Sequence, residues 1–234
     1  MTMYLFNREK DAPPSAPVSL LCTGVTAAGC TTSLFSIAET GLAEFAPPQF
    51  TTRKLRPNER SGEQFYSVSQ EKLAKVQAKI AIQGEYCGNA YGMFQANVRK
   101  IREILKKKSV VIDAIHSPTQ WQNVLGEGNY IRSAFFAPKS PDISIDRIAI
   151  RAQQTREVLA PDFIGKRKAA DTEHIRKIWA YDYWVDTTRF LTIVPALQAL
   201  LMGESEEGLS KAAAYRIAVH QQKIHELLNA YSSK

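Results

Sequence analysis

A glycine-containing segment between a predicted strand and a predicted helix constrains the fold of this chain more than any other feature. Gly24 and Gly29 stand five positions apart in the segment G-V-T-A-A-G-C-T, residues 24–31. An apolar run over 18–22 precedes it, and a helix-forming run over 33–45 follows it, so we predict a strand and then a helix extending to about residue 44. Such a turn directs backbone N–H groups towards one point beside a positive helix end. The segment therefore predicts a phosphate-binding loop. Taken alone, it is equally compatible with an ordinary glycine-containing turn between a strand and a helix.

The loop departs from the usual phosphate-binding pattern at one residue. Cys30 stands where a lysine normally contacts the outer phosphates, whereas Thr31 keeps the hydroxyl that holds magnesium. Losing one electrostatic donor typically lowers a rate by about a hundred- to a thousandfold. Cys30 has two interpretations: the helix N-terminus lowers its thiol pKa and makes it a redox or alkylation site, or it is an inert small residue in a disused loop. We favour the second, because no partner base or second nearby cysteine is visible.

Composition restricts the class of protein. The 234 residues, 44% hydrophobic and 23% charged, suit one domain with a lid and an appendage. We find neither a membrane-length apolar run nor a signal-peptide core, and the three cysteines lack metal or disulfide spacing. We therefore expect a cytoplasmic protein. The net charge of +7 suits phosphate ligands, acidic protein partners or nucleic acid.

A second segment contains two arginines that can converge on one phosphate. Arg53 and Arg56 stand three positions apart in T-T-R-K-L-R-P-N-E-R-S-G, residues 51–62, and an aromatic pair and V-S follow. Arginines bind phosphate through charge-assisted, forked hydrogen bonds. In isolation this spacing is more typical of a solvated basic loop.

With the loop upstream, the arginine segment resembles the monophosphate-binding segment of guanylate kinases. Other segments resemble the same family in the same order: G-N-A-Y-G at 88–92, a strand over 109–113 ending in an acid, F-F-A-P at 135–138 and Y-D-Y-W-V at 181–185. The resemblance spans about residues 17–203. It implies an α/β P-loop kinase fold with a parallel five-stranded core sheet, a small mixed monophosphate-binding insertion at about 49–92 and a helical lid at about 142–166.

The resemblance also assigns roles to individual residues. Arg53, Arg56 and Tyr91 would bind the monophosphate, and Thr31 and Asp113 would hold Mg²⁺ if ATP binds.

The predicted lid carries arginines as well. Counting back from Tyr181 places Arg156 and Arg167 where the family has lid arginines that meet the transferring phosphoryl group, and Arg151 lies near a third such position. The alternative for the basic run 166–168 is a solvated helix face.

The positions that read guanine in the family depart from its pattern. Ile82 and Ile115 replace two carboxylates, and Met93 replaces a small hydroxyl residue. These side chains cannot accept hydrogen bonds from a base, and each polar group left unpaired costs about 1–3 kcal/mol. Phe65 stands where the family has a phosphate-binding tyrosine. We expect Phe65 in the site, because a one-residue slip that substituted Tyr66 would reverse every side chain of the strand.

Both ends of the chain lie outside the resemblance. Residues 1–16 are predicted to be a flexible tail. Residues 204–234 form an extra segment, in which an acidic linker leads into a long helix that begins at Leu209 and ends at Tyr231, with one apolar stripe. This helix either packs back on the body or offers its stripe to another chain.

Three functions are compatible with this pattern. We favour a catalytically degenerate guanylate kinase-like protein without a cofactor, a binding or scaffold module that holds a phosphorylated peptide or serves as a subunit of an assembly. The alternative is an active P-loop kinase that uses Mg-ATP and a non-guanylate acceptor. Nucleic-acid binding through the basic runs 106–108 and 166–168 ranks last, because no aromatic residues interleave them. We expect protein partners at the phosphate pocket or the C-terminal helix.

Overall fold

The secondary structure is that of an α/β protein. A computed structural model describes residues 3–5, 16–57, 59–156, 158–188, 193–202 and 224–232. In chain order, the strands are β1 (Met3–Leu5), β2 (Val18–Gly24), β3 (Ala43–Phe45), β4 (Gln49–Thr51), β5 (Phe65–Ser67), β6 (Ile80–Tyr86), β7 (Asn89–Phe94), β8 (Ser109–Asp113), β9 (Tyr130–Ala137) and β10 (Tyr183–Asp186). The helices are α1 (Cys30–Glu39), α2 (Gln70–Lys75), α3 (Gln95–Leu105), α4 (Pro118–Leu125), α5 (Pro141–Thr155), α6 (Phe163–Ile175), α7 (Ile193–Met202) and α8 (224–232), with 3-10 turns at Gln77–Lys79 and Arg176–Ala180.

Five parallel strands form the central sheet, which confirms the predicted α/β kinase-type core. Their order is β3-β8-β2-β9-β10. Every residue of β2 except Gly24 is buried, because parallel sheets are covered by helices on both faces. This two-sided burial explains why β2 reads in the sequence as an apolar run without alternation.

Alternating residues of the central strands face two separate cores. Leu20 and Val111 belong to one core with residues of α1, α7 and α8, whereas Leu21 and Val110 belong to a second core with residues of α3 and α4. Successive side chains of a strand point to opposite faces, so the two cores lie on opposite sides of the sheet. The carboxyl ends of β2 and β8 are thereby held between helical layers.

The predicted insertion is a second, four-stranded sheet. Its order is β5-β4-β7-β6, with β4 parallel to β5 and antiparallel to β7. Phe50, Leu73 and Ala90 form its own small core. The region predicted as a lid corresponds to α5 and the start of α6. The insertion and these helices contribute the side chains described below.

The first helix is shorter than predicted. α1 ends at Glu39 instead of about residue 44, and β3 follows, pairing in parallel with β8. Gly41 has a φ of 78°, a left-handed conformation that ends helices, and this separates the two elements. The prediction of one continuous helix was wrong because Ala43 and Phe45 after Gly41 belong to an edge strand of the central sheet.

Part of the predicted flexible tail forms a strand. β1 lies within residues 1–16 and pairs antiparallel with β10. An edge strand presents unpaired N–H and C=O groups, and β1 satisfies those of β10. The tail prediction therefore fails at residues 3–5.

The end of the predicted C-terminal helix packs against the body of the same chain. Residues 203–223 lie outside the described residues, and α8 covers the remainder. Ile224, Leu227 and Tyr231 are buried in the core that contains α1 and α7. The Tyr231 hydroxyl donates to the Pro138 carbonyl at 3.3 Å. Among the described helices, none is long and apolar enough to cross a membrane.

Candidate functional site

The glycine loop is held tightly against the end of β9. The Val25 N–H donates to the Phe136 carbonyl at 3.0 Å, and a Cβ on Gly24 would lie 2.2 Å from that carbonyl oxygen. Gly29 has a φ of 90° and caps α1, which begins at Cys30. Glycine is therefore required at 24 for space and favoured at 29 for backbone conformation. The loop ends at a helix N-terminus, as an anion-binding loop requires.

This loop forms one wall of a cleft of about 670 Å³. The insertion and the lid helices form the other walls. Six arginines and four acidic residues line the cleft, so its formal charge favours anions. Its residues from the sequence prediction are Gly24, Gly29, Cys30, Thr31, Arg53, Arg56, Tyr91, Asp113, Arg151 and Arg167.

Arg53 and Arg56 converge on one carboxylate, that of Glu59. The two terminal nitrogens of Arg53 each donate to a different Glu59 oxygen at 2.7 Å. Arg56 donates to the same carboxylate through its side chain and its backbone N–H, both at 2.9 Å. Arg53 also lies 5.3 Å above the Phe65 ring, and Phe65 meets Tyr91 edge-on. Two guanidinium groups thus meet at one point, the geometry that a phosphate group needs.

Arg53 and Glu59 stabilise each other's charged forms. Burial opposes the charge of Arg53, but the hydrogen bond and charge of Glu59 outweigh it, so the pKa of Arg53 is raised. Burial would raise the pKa of Glu59, but hydrogen bonds from Arg53 and from the Arg56 backbone lower it below its usual value. Both partners are therefore charged at neutral pH, and the arginines are preorganised without a ligand.

Thr31 and Asp113, the predicted Mg²⁺ ligands, touch each other. The Thr31 hydroxyl donates to the Asp113 carboxylate. The Gln64 side-chain amide from the insertion donates to Asp113 at 2.7 Å and to Thr31 at 3.0 Å. Burial raises the pKa of Asp113 to about 6, and hydrogen bonds from Thr31 and Gln64 and the charge of Arg56 limit the rise. Hydroxyl and carboxylate oxygens are the ligands that Mg²⁺ prefers, so these residues fit the ion if the Gln64 amide turns away.

Cys30 is not an activated thiol. Burial raises the pKa of Cys30, and the nearby Asp113 carboxylate raises it further, whereas a hydrogen bond from the backbone N–H of Cys30 only partly opposes this. All three cysteines are free thiols. The interpretation of Cys30 as a low-pKa site is therefore wrong, because it did not take into account the burial of the thiol beside Asp113.

One predicted lid arginine lies outside the cleft, and a different arginine takes its place. Arg156 caps α5 at its exposed C-terminal end with a φ of 53°. Arg147, one helical turn before Arg151, lines the cleft and donates to the Thr187 carbonyl at 2.6 Å. The prediction of Arg156 counted positions without the helix phase, and the structure does not bring that residue to the cleft. The four-residue spacing of Arg147 and Arg151 was the signal that could have found it.

Two positions that would read guanine are buried away from the cleft. Ile82 and Met93, 6% and 0% exposed, pack into the core that contains α3 and α4. Ile115 lines the cleft but offers no hydrogen-bonding group. Phe65 lines the cleft whereas Tyr66 is 42% exposed, so the strand has not slipped. At these guanine-reading positions, Ile82, Met93 and Ile115 therefore offer the cleft no polar group.

Comparisons with known proteins agree with the fold. The family model "Guanylate kinase" matches residues 34–204. The guanylate kinase of Symbiobacterium thermophilum is 27% identical over 209 residues, 86% of this chain and 93% of its own. That of Desulfitobacterium hafniense is 29% identical over 157 residues, 66% of this chain and 74% of its own. The solved guanylate kinase from Anaplasma phagocytophilum matches the fold with a TM-score of 0.59 at 20% identity, over 82% of this chain and 88% of that one.

Proposed function

The chain belongs to the guanylate kinase family, and we propose that within this family it is a non-catalytic module that binds phosphate monoesters. The ligand would be a phosphorylated side chain of a partner protein or another small phosphate ester. The observation that carries the proposal is the convergence of Arg53 and Arg56 on Glu59 within the cleft. A phosphate group has the charge and the oxygen spacing to share or replace that carboxylate.

The loop side of the cleft, which would hold the phosphate donor of a kinase, supports phosphate binding without phosphoryl transfer. Cys30 cannot supply the cation that neutralises the outer phosphates of a nucleoside triphosphate, and its raised thiol pKa keeps it uncharged. Arg147 approaches the loop, but its guanidinium already donates to the Thr187 carbonyl at 2.6 Å. The arginines needed for ground-state phosphate binding are thus present, while the loop lacks its usual transition-state cation.

The acceptor side supports a ligand other than GMP. With Ile82 and Met93 packed into the core, the polar edge of guanine has no partner at those positions. Each unpaired group would cost about 1–3 kcal/mol, so recognition falls on the phosphate. This favours ligands in which the phosphate supplies most of the binding energy.

Calorimetric titration of the full chain with O-phosphoserine, inorganic phosphate and GMP tests the proposal. Phosphoserine should bind, and GMP should bind no more tightly than phosphoserine. Arg53→Ala should weaken phosphoserine binding by at least about tenfold, because a charge-assisted hydrogen bond contributes about 1.5–3 kcal/mol. Arg176→Ala is the matched control, because Arg176 is an exposed arginine paired with Glu173 outside the cleft.

Two results would contradict the proposal. One is turnover of Mg-ATP with any nucleoside monophosphate, and the other is phosphoserine binding that is absent or equally affected by the two variants.

A second candidate is a working kinase with a changed acceptor. The observation that favours it is that Thr31 and Asp113 are in contact beside a cleft lined by Arg147, Arg151 and Arg167. Thr31 and Asp113 would hold Mg²⁺, which neutralises phosphate charge, and the arginines would orient the phosphoryl group. Screening phosphorylated acceptors with Mg-ATP tests this. Transfer should disappear in Arg151→Ala and persist in Arg156→Ala, and a blank screen with folded protein excludes this function for the acceptors tested.

A further inference from the structure

A buried carboxylate of α6 is hydrogen-bonded to the glycine loop, residues 24–31. Asp171 lies on α6 and is 5% exposed. Its Oδ1 atom accepts from the Thr26 backbone N–H at 2.8 Å and from the Thr26 hydroxyl at 2.9 Å. The Tyr86 hydroxyl donates to the same oxygen at 2.5 Å and lies 2.7 Å from the Thr26 hydroxyl. One acidic oxygen thus joins the loop, the end of β6 in the insertion and the lid helix.

This contact places a negative charge where the loop is built to receive a ligand's negative charge. An N–H group of a glycine-containing loop at a helix N-terminus is an anion-binding group, and here the anion comes from the chain itself. Burial raises the pKa of Asp171, but hydrogen bonds from Tyr86 and Thr26 and the charge of Arg167 oppose that rise. Arg167 is itself stacked at 5.5 Å on the Tyr86 ring and donates to Cys87.

We propose that Asp171 is a specificity-determining residue that excludes the polyphosphate of a nucleoside triphosphate from the loop. A triphosphate entering the cradle would meet this carboxylate and would have to displace it from the Thr26 N–H. Like charges brought together in a water-poor site disfavour binding strongly. The acceptor-side arginines Arg53 and Arg56 bond to Glu59 and are not among the partners of Asp171. The inference rests on the proposed function, because it explains why a phosphate-binding cleft would accept a monoester but reject a donor nucleotide.

The experiment is titration of Mg-ATP into the full chain and into Asp171→Asn. Asparagine keeps the shape and an oxygen for the Thr26 N–H but removes the charge. Asp171→Asn should bind Mg-ATP at least about tenfold more tightly than the unmodified protein. Asp182→Asn is the matched control: Asp182 also accepts from a backbone N–H and a hydroxyl, at 2.8 and 2.6 Å, but both belong to Ser133 of β9 and not to the loop. It should leave Mg-ATP binding unchanged.

An unchanged or weaker Mg-ATP affinity of Asp171→Asn would overturn the inference, as would an equal gain in Asp182→Asn. If Asp171→Asn does not fold, hydrogen exchange of the unmodified protein decides. Residues 24–31 should then be protected without ligand, and Mg-ATP should add no protection; protection that appears only with Mg-ATP overturns the inference. Phosphoserine titration of the unmodified protein separates the two proposals, because absence of phosphoserine binding refutes the proposed function without changing the Mg-ATP comparison.

Discussion

Replacing Asp113 with asparagine should remove a pH-dependent loss of stability. Burial raises the pKa of Asp113 from 3.8 to about 6. The folded protein therefore holds this proton more tightly than the unfolded chain does. Stability from this group is fully present below about pH 4 and is lost as the pH rises towards and through the folded pKa of about 6.

The size of the effect follows from the shift. At about 1.36 kcal/mol per pKa unit, the rise corresponds to about 3 kcal/mol of unfolding free energy, of which about 2 kcal/mol is lost between about pH 4.5 and pH 7. Asparagine can accept the same hydrogen bonds from Thr31 and Gln64 but does not ionise. The difference in unfolding free energy between Asp113→Asn and the unmodified protein should therefore move by about 2 kcal/mol in favour of the variant over that interval.

Urea denaturation of both proteins at several pH values between about 4.5 and 7 measures this difference. The values at the acidic end serve as the internal reference, since the Asp113 carboxyl is largely protonated there. A difference that stays constant with pH, or that moves in favour of the unmodified protein, would refute the assignment of Asp113 as a carboxyl destabilised by burial. Adding Mg²⁺ should stabilise the unmodified protein more than the variant at neutral pH if Thr31 and Asp113 bind the ion, because bound ligand favours the folded state.

Three further predictions concern the loop, the C-terminal helix and the lid, all measured by urea denaturation. Gly24→Ala should lower the free energy of unfolding by about 1–3 kcal/mol, because the added Cβ would lie 2.2 Å from a carbonyl oxygen of β9. Gly165→Ala is the control and should not destabilise the protein, because Gly165 has open space around it. Equal effects of the two substitutions would contradict this reasoning. Leu227→Ala should cost about 2–4 kcal/mol if α8 is part of the body, and a neutral result would mean that it is not. Arg147→Ala should cost about 1 kcal/mol or more through its lost bond to a buried carbonyl, whereas exposed Arg156→Ala should change stability by less than about 0.5 kcal/mol.

Predictions that rested on short contiguous patterns agree best with the structure. The apolar runs predicted β2 and β8, because strands buried on both faces cannot alternate. The resemblance predicted the five parallel strands, and the structure bears it out. The end of α1 was misplaced, because a single glycine in a left-handed conformation separates a helix from a strand of similar composition.

Contacts between segments that are distant in the sequence could not be predicted from such patterns. Gln64 reaches Thr31 and Asp113, and Asp171 reaches Thr26 and Tyr86, across 33 to 145 positions of sequence. Neither Gln64 nor Asp171 belongs to a recognisable motif. Their positions depend on how the insertion and the lid helices close over the loop.

The sequence by itself indicated the family, the glycine loop with Cys30 at the usual lysine position, the paired arginines and the apolar residues at the positions predicted to read guanine, since each of these is a matter of residue type at a local spacing. Only the tertiary structure decided which charges meet. It paired both arginines with Glu59, raised the pKa of Cys30 and Asp113 by burial, placed Arg147 in the cleft in preference to Arg156, and put the Asp171 carboxylate on the loop. The physical reason is that burial and electrostatic contact depend on distances between chain segments, and only the packed fold sets those distances.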